Sequence, residues 1–289
     1  MSDFKTIDIM NYYFTQEMLD AFLGSDDARP MVASFSRASL PYRAFDADAI
    51  VLEMDECGYD KVFVTGLKMF SYLNKVMLIN GDVDQVSRAI AKYPGRLIGS
   101  ASYNPYRIKE SLGNIERAVK EMGFKYVYFH SLSFGLRLND AKLYPCYAKC
   151  DELGITVGMQ AGHSGEIMPS EPGRPIYIDE VAMDFPGLKI ILSHTGWPWV
   201  EEVVAMVSKH PNVYCDISAW MPRFLPVKQA ALFEFMKSSQ GREKVIFGTN
   251  GFGLQRCREQ FLQLPLSDEV KEKVLFHNAA RIFNLETPA

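Results

Sequence analysis

The sequence predicts a single (β/α)8 TIM barrel, an α/β fold of eight parallel strands joined by helices, and three observations support this. The chain has 289 residues, close to the ~250 residues of a typical barrel with insertions. Short apolar runs alternate with segments of helical periodicity, which is typical of parallel strands covered on both faces. No GxGxxG loop follows an early strand, and this favours a closed barrel over a doubly wound sheet.

Eight short runs rich in β-branched and aromatic residues are the predicted strands. Nearly every pair is separated by a stretch able to form a helix. Because crossovers are right-handed and consecutive strands usually pair, this alternation has few other topological solutions. The runs cover residues 4–10, 62–65, 97–102, 126–130, 155–160, 189–194, 213–216 and 244–248.

Helices are predicted where apolar residues recur at three- and four-residue spacing. A stripe of this kind runs over residues 108–122, and Gly123 can adopt the left-handed conformation that ends a helix. Gly58 and Gly154 follow two further helical segments in the same way, at 48–58 and 144–153. Val200 to Val207 carries another apolar stripe, and Ser267 and Asp268 open a last helix.

We expect one domain over residues 1–289, with two long irregular segments over the barrel mouth. The segment at about 26–45 is rich in Ala, Ser, Arg and Pro, and the segment 163–175 has a similar loop-like composition. Each follows a predicted strand, so each lies on the face where barrel enzymes build their active sites.

The composition limits the classes of binding partner that we expect. The net charge is -4 without a Lys/Arg stripe, so we expect no nucleic-acid partner, and no apolar run approaches the ~18 residues of a membrane span. The five cysteines form no CxxC pair, which favours a reducing, cytoplasmic location. Cys146 and Cys150 lie four apart on a predicted helix; a metal pair is conceivable, but core packing is favoured because no further ligands lie nearby.

Polar and aromatic residues concentrate at the ends of the predicted strands, where a barrel assembles its site. Three of the five histidines are among them. The set comprises Met10, Asn11, Tyr12, Thr65, Tyr103, Asn104, His130, Gln160, His163, His194, Asp216, Thr249 and Asn250.

Several short motifs recur in an order and spacing that belong to one family. They are YPGRLIG at 93–99, YP at 144–145 with LGITV at 153–157, LSHTG at 192–196, NVYCD at 212–216, FGTN at 247–250 and NAA at 278–280. On these motifs the chain resembles the amidohydrolase-related family, the branch of the amidohydrolase superfamily that includes aromatic-acid decarboxylases and various hydrolases. The resemblance covers nearly the whole chain and implies an amidohydrolase-like barrel.

The metal-ligand positions of that family are mostly replaced. Its first strand ends in Asp-x-His-x-His; here the segment is Asp-Ile-Met-Asn-Tyr, so Met10 and Tyr12 replace both imidazoles. The fifth-strand histidine falls on Gln160 and the eighth-strand aspartate on Asn250, whereas the sixth-strand histidine is kept as His194. A catalytic zinc needs about three imidazole, thiolate or carboxylate donors. We therefore predict no cofactor and metal-independent chemistry.

The proposed catalytic residues are the polar side chains at these positions. The unperturbed pKa of histidine lies near neutrality, so His194 could act as a general acid or base, or it could remain as a hydrogen-bonded relic. Tyr12, Gln160 and Asn250 would supply hydrogen bonds to developing charge. His130 lies where the family often carries a histidine near substrate; the alternative is a half-buried core residue.

Further residues are expected to bind substrate. Arg137 and Arg223 could hold a carboxylate. Asp216 could orient His194, or serve only the fold. The aromatic residues suggest a flat or apolar ligand, or a subunit interface. The expected set is Asn11, His163, Asp216, Arg137, Arg223, Trp197, Trp220 and Phe252.

Three functions remain open. The favoured one is a metal-independent hydrolase or decarboxylase-type lyase acting on a small carboxylated or aromatic compound. The second is a non-catalytic subunit that uses the barrel for binding or assembly of a complex. The third is a metal-dependent hydrolase with relocated ligands, for instance His163, His194 and Asp216. A homo-oligomer is expected only on base rates for such barrels.

Overall fold

A computed structural model describes residues 4–38 and 42–285 of the chain, which contain ten strands. All eight predicted runs form strands, with ends that differ by a few residues. The strands are β1 (Thr6–Tyr12), β2 (Tyr59–Thr65), β3 (Lys68–Phe70), β4 (Met77–Asn80), β5 (Leu97–Ala101), β6 (Tyr126–Phe129), β7 (Thr156–Gln160), β8 (Ile190–Ser193), β9 (Val213–Asp216) and β10 (Val245–Ile246).

Eight of these strands form one parallel sheet, in the order β1-β2-β5-β6-β7-β8-β9-β10. Its two edges approach each other: Ile9 N–H points to the Phe247 carbonyl at 3.4 Å, and Asn250 N–H donates to the Met10 carbonyl at 2.9 Å. The sheet is therefore nearly closed into a barrel, which confirms the predicted fold class. Strands β3 and β4 form a separate antiparallel hairpin that the sequence analysis did not predict.

Helices connect the strands, and the predicted helix ends are confirmed. Gly58 and Gly123 adopt left-handed φ values of 77° and 71° directly after their helices. The helices are α1 (Gln16–Leu23), α2 (Arg29–Ala38), α3 (Ala47–Cys57), α4 (Val83–Ile90), α5 (Ile108–Met122), α6 (Tyr144–Glu152), α7 (Ile178–Asp184), α8 (Val200–Lys209), α9 (Leu225–Lys228), α10 (Ala230–Lys237), α11 (Leu254–Leu262), α12 (Asp268–Glu272) and α13 (Asn278–Ile282).

The segment 26–45 is not the long loop that its composition suggested. Helix α2 occupies Arg29–Ala38, and its proline lies in the first turn, where the missing N–H has no helical partner to lose. Residues 39–41 lie outside the described residues. The segment 163–175 is irregular as predicted, apart from a short 3-10 turn at Glu171–Gly173 and the start of a second at Pro175–Tyr177.

Alternate residues of the strands face two different cores. Phe63, Tyr126 and Ile191 belong to the cluster inside the barrel, where Phe283 packs on Phe63 with ring centroids 4.5 Å apart. The residues between them, such as Val127, pack outward against the helices. Cys146 and Cys150 are buried in this outer core, as the packing interpretation expected. None of the described helices is long and apolar enough to cross a membrane.

Candidate active site

A cavity of about 460 Å³ lies at the carboxyl ends of the barrel strands. Helix α2, the β3–β4 hairpin and the segment after β7 surround its mouth. The predicted residues that line it are Tyr12, His130, Gln160, His163, His194, Trp220, Asn250 and Phe252. The other lining residues are Phe14, Phe22, Pro30, Met31, Ser34, Tyr42, Leu67, Met69, Ile79, Ser164, Gly165, Glu166 and Ala219.

Tyr12 and Asn250 join the two edges of the sheet at the cavity floor. The Tyr12 hydroxyl donates to Oδ1 of Asn250 at 2.6 Å. Burial raises the pKa of Tyr12 well above its usual range, so the phenol keeps its proton. Asn250 has a positive φ of 58°, and its side-chain nitrogen remains available to a ligand.

His194 lies at the centre of a second hydrogen-bonded group. Its Nε2 is 3.1 Å from the Tyr128 hydroxyl, which is also 3.1 Å from Oε1 of Gln160. The Gln160 amide nitrogen donates to the carbonyl of His163 at 3.1 Å, which fixes the orientation of the amide. Burial lowers the pKa of His194 to about 3, so its imidazole is neutral at physiological pH.

Asp216 lies below the cavity and acts on His194 through Ser218. One oxygen of Asp216 accepts hydrogen bonds from the Ser218 hydroxyl and from the backbone N–H of His194. The Ser218 oxygen is also 2.6 Å from Nδ1 of His194. Because the single hydroxyl proton of Ser218 points to Asp216, Nδ1 is the donor to Ser218 and Nε2 is left as an acceptor. The orienting role of Asp216 stays a prediction, and Ser218 and Tyr128 were not among the predicted site residues.

His130, Ser164 and Glu166 form a third group on the side of the cavity. His130 Nδ1 accepts the Ser133 N–H at 3.2 Å, so Nε2 carries the proton and faces the Ser164 oxygen at 3.3 Å. The Ser164 hydroxyl donates to Glu166. Burial lowers the pKa of His130 to about 4. Ser164 and Glu166 were not among the predicted site residues, although they lie in the predicted mouth segment.

Five of the expected substrate-binding residues do not line this cavity, and one of them is Asp216, which is buried below it. Arg137 forms an ion pair with Glu171, and its guanidinium lies 5.0 Å from the Tyr177 ring centroid. The guanidinium of Arg223 lies 4.8 Å from the ring centroid of the neighbouring Phe224. Trp197 packs behind His163 and Trp220, and Asn11 hydrogen-bonds the backbone of Tyr12 and lines a smaller neighbouring cleft.

The side chains at the family's metal-ligand positions do not fit a divalent ion. Met10 is fully buried in the core and offers only a thioether. Tyr12 and Asn250 are hydrogen-bonded to each other, and Gln160 is hydrogen-bonded to Tyr128. Among these positions, the imidazole of His194 is then the one strong metal ligand. The relocated set of His163, His194 and Asp216 is not assembled either. Within 4–38 and 42–285, no three His, Cys, Asp or Glu side chains are placed to hold a metal ion.

Comparisons with known proteins agree with this architecture. The chain is 26% identical over 287 residues to the 2-amino-3-carboxymuconate-6-semialdehyde decarboxylase of Dictyostelium discoideum, covering 84% of this chain and 77% of that protein. An uncharacterized TIM-barrel protein of Bordetella bronchiseptica superposes with a TM-score of 0.78 at 24% identity, covering 97% and 99% of the two chains.

A dihydroxybenzoic acid decarboxylase from Polaromonas, solved with bound manganese and the inhibitor 2-nitroresorcinol, superposes with a TM-score of 0.69. It is 16% identical, covering 98% of each chain, and at this identity the likeness concerns the fold alone. The amidohydrolase family profile matches residues 27–285. The chain therefore belongs to the amidohydrolase family.

Proposed function

We propose that this chain is a metal-independent decarboxylase-type lyase that acts on a small aromatic carboxylate. The observation that carries the proposal is the hydrogen-bonded polar floor formed by Tyr12, Asn250, Gln160 and His194 beneath aromatic cavity walls. The decarboxylase relative from Dictyostelium discoideum favours a lyase over a hydrolase.

The cavity walls suit a single aromatic ring. Phe14, Tyr42, Trp220 and Phe252 contribute aromatic surface, and ring pairs of this kind favour offset or edge contacts. A volume of about 460 Å³ lies in the range of small-molecule sites. A one-ring acid can therefore bury its ring against these walls while its polar groups reach the floor.

The floor can stabilise the charge that decarboxylation moves. The bond between the ring carbon and the carboxylate carbon breaks, CO2 leaves, and the electron pair stays on the ring carbon, which then takes up a proton. Negative charge thus spreads from the carboxylate into the ring and its substituents. The amide nitrogen of Asn250 is positioned to donate to that charge, since Tyr12 already occupies its oxygen.

His194 is the proposed proton carrier. Its Nδ1 keeps a proton toward Ser218, while its Nε2 lies beside Tyr128 and can take up a proton that enters through the cavity and deliver it to the ring carbon. Asp216 holds this ring through Ser218 and is a positioning residue.

The test is decarboxylation by protein stripped of metal, with elemental analysis of the same sample. A panel of hydroxylated benzoates is incubated with the parent protein, with His194→Ala and with His277→Ala, a matched control at an exposed histidine. We expect CO2 release by the parent and the control, and a loss of ~10² to 10⁴-fold in His194→Ala. Turnover that appears only on adding manganese or zinc would refute metal independence. Full turnover by His194→Ala would refute the mechanism, and no turnover on the whole panel would favour a non-catalytic subunit.

A further inference from the structure

Among the described residues that line the cavity, no side chain carries a positive charge that could bind a carboxylate ligand. None of the described lining residues is a lysine or an arginine. Burial holds His130 and His194 neutral, with pKa values of about 4 and about 3. Glu166 is the only carboxyl group among these described lining residues, so an ionised ligand would meet a group of its own sign.

Glu166 is fixed in place by its neighbours. The Ser164 hydroxyl must donate to it, because the other hydrogen bond of that hydroxyl comes from the protonated nitrogen of His130. The segment is also tied to the start of α2, where the Ile167 N–H donates to the Asp27 carbonyl at 2.8 Å. Glu166 thus lies at the cavity wall with one carboxyl oxygen held by Ser164.

The surroundings of Glu166 raise its pKa. Removal of water is the largest cause, hydrogen bonds from Ser164 and the backbone oppose it in part, and the charge of Asp27 adds a smaller increase. A protonated His163 would lower it, but burial lowers the pKa of His163 as well, so that this imidazole is neutral above pH 7. The titratable groups that face Glu166 are His163 on the same segment, His130 beyond Ser164, Asp27, Tyr12 and Tyr42.

We propose that Glu166 recognises the carboxylate of an aromatic acid through a shared proton, so that binding of the anion is accompanied by uptake of one proton. This inference rests on the aromatic carboxylate substrate proposed above. A carboxylic acid donates a short, strong hydrogen bond to a carboxylate, whereas two ionised carboxylates at the same distance repel each other. The shared proton would do what a cation does at other carboxylate sites.

The test compares an anionic ligand with its neutral counterpart. Binding of 2,6-dihydroxybenzoate and of resorcinol is measured by isothermal titration calorimetry between pH 6 and 8.5, in buffers with different ionisation enthalpies. The proteins are the parent, Glu166→Gln, and Glu171→Gln as a matched control on an exposed glutamate of the same segment. The amide introduced by Glu166→Gln keeps a hydrogen-bond donor and cannot titrate.

For the parent and Glu171→Gln we expect the Kd of 2,6-dihydroxybenzoate to rise about tenfold per pH unit once Glu166 is ionised in the free protein, with uptake of about one proton. For Glu166→Gln, and for resorcinol in every protein, the Kd should stay flat.

A flat profile in the parent, or an unchanged slope in Glu166→Gln, would overturn the inference and leave the proposed lyase intact. Proton-linked binding without any turnover supports the inference and refutes the lyase. Binding of resorcinol alone would overturn both the inference and the carboxylate substrate.

Discussion

Asp8 closes the barrel with a buried carboxyl group, and its titration should be visible in the stability of the whole protein. Its Oδ1 accepts the Met10 and Thr249 N–H groups, each at 2.9 Å, and its Oδ2 accepts the Thr249 hydroxyl at 2.6 Å. These bonds join β1 to the segment after β10. Burial outweighs them and raises the pKa of Asp8 from 3.8 to about 6.

The sign and size of the effect of Asp8 on the free energy of unfolding follow from proton linkage. Between pH 3.8 and about 6 the folded protein binds a proton at Asp8 that the unfolded chain has lost, so stability falls as pH rises through this window. The shift of about two pKa units corresponds to about 3 kcal/mol at about 1.4 kcal/mol per unit. The stabilising contribution is complete at low pH and is lost above pH 6.

Asp8→Asn isolates this contribution, because asparagine has the size and neutral charge of the protonated acid. Free energies of unfolding are measured by urea titration at half-unit steps from pH 4 to 7.5. The difference between variant and parent should rise by about 2.5 kcal/mol in favour of the variant over that range, since the other titrations cancel. A difference that stays constant with pH would refute the linkage. A difference that changes in the opposite direction would show that the hydrogen bonds outweigh burial.

Three further substitutions test packing and the site. Gly158→Ala should lower the free energy of unfolding by at least about 3 kcal/mol in urea titrations, since its Cβ would lie 1.7 Å from the Tyr126 hydroxyl oxygen. Gly113→Ala, at an exposed position of α5 with no atom near the new Cβ, should raise it by about 0.5–1 kcal/mol. Ser218→Ala should lower the free energy of unfolding by about 2 kcal/mol and kcat about 10²-fold. ¹⁵N NMR of this variant should show that His194 loses its fixed tautomer. An unchanged tautomer would contradict the proposed positioning.

The sequence predicted the barrel because its strongest signals are local. Apolar strand runs and glycine helix ends depend on a few neighbouring residues, and Gly58 and Gly123 end their helices as expected. Helix α2 was missed because its Ala, Ser, Arg and Pro content is shared by loops. The β3–β4 hairpin was missed because such short strands carry too little periodicity.

The site was predictable where a strand end defines it. Tyr12, Gln160 and His194 line the cavity because barrel geometry brings strand ends together. Tyr128 was missed because residues on both faces of a barrel strand are buried, so its sequence does not show which face a tyrosine occupies. Arg137 was misplaced because the direction of a loop depends on distant partners, here Glu171.

Backbone strain around the cavity argues that its polar floor serves a function. His194, Ala219 and Asn250 all line the cavity and all have positive φ values, of 72°, 63° and 58°. A residue with a Cβ costs about 1–2 kcal/mol in this conformation, a cost that glycine would avoid. Three such residues at three neighbouring strand ends hold the imidazole and the amide toward one cavity. A barrel retained only for assembly gains nothing from this arrangement, whereas a site that must aim His194 and Asn250 at a ligand depends on it.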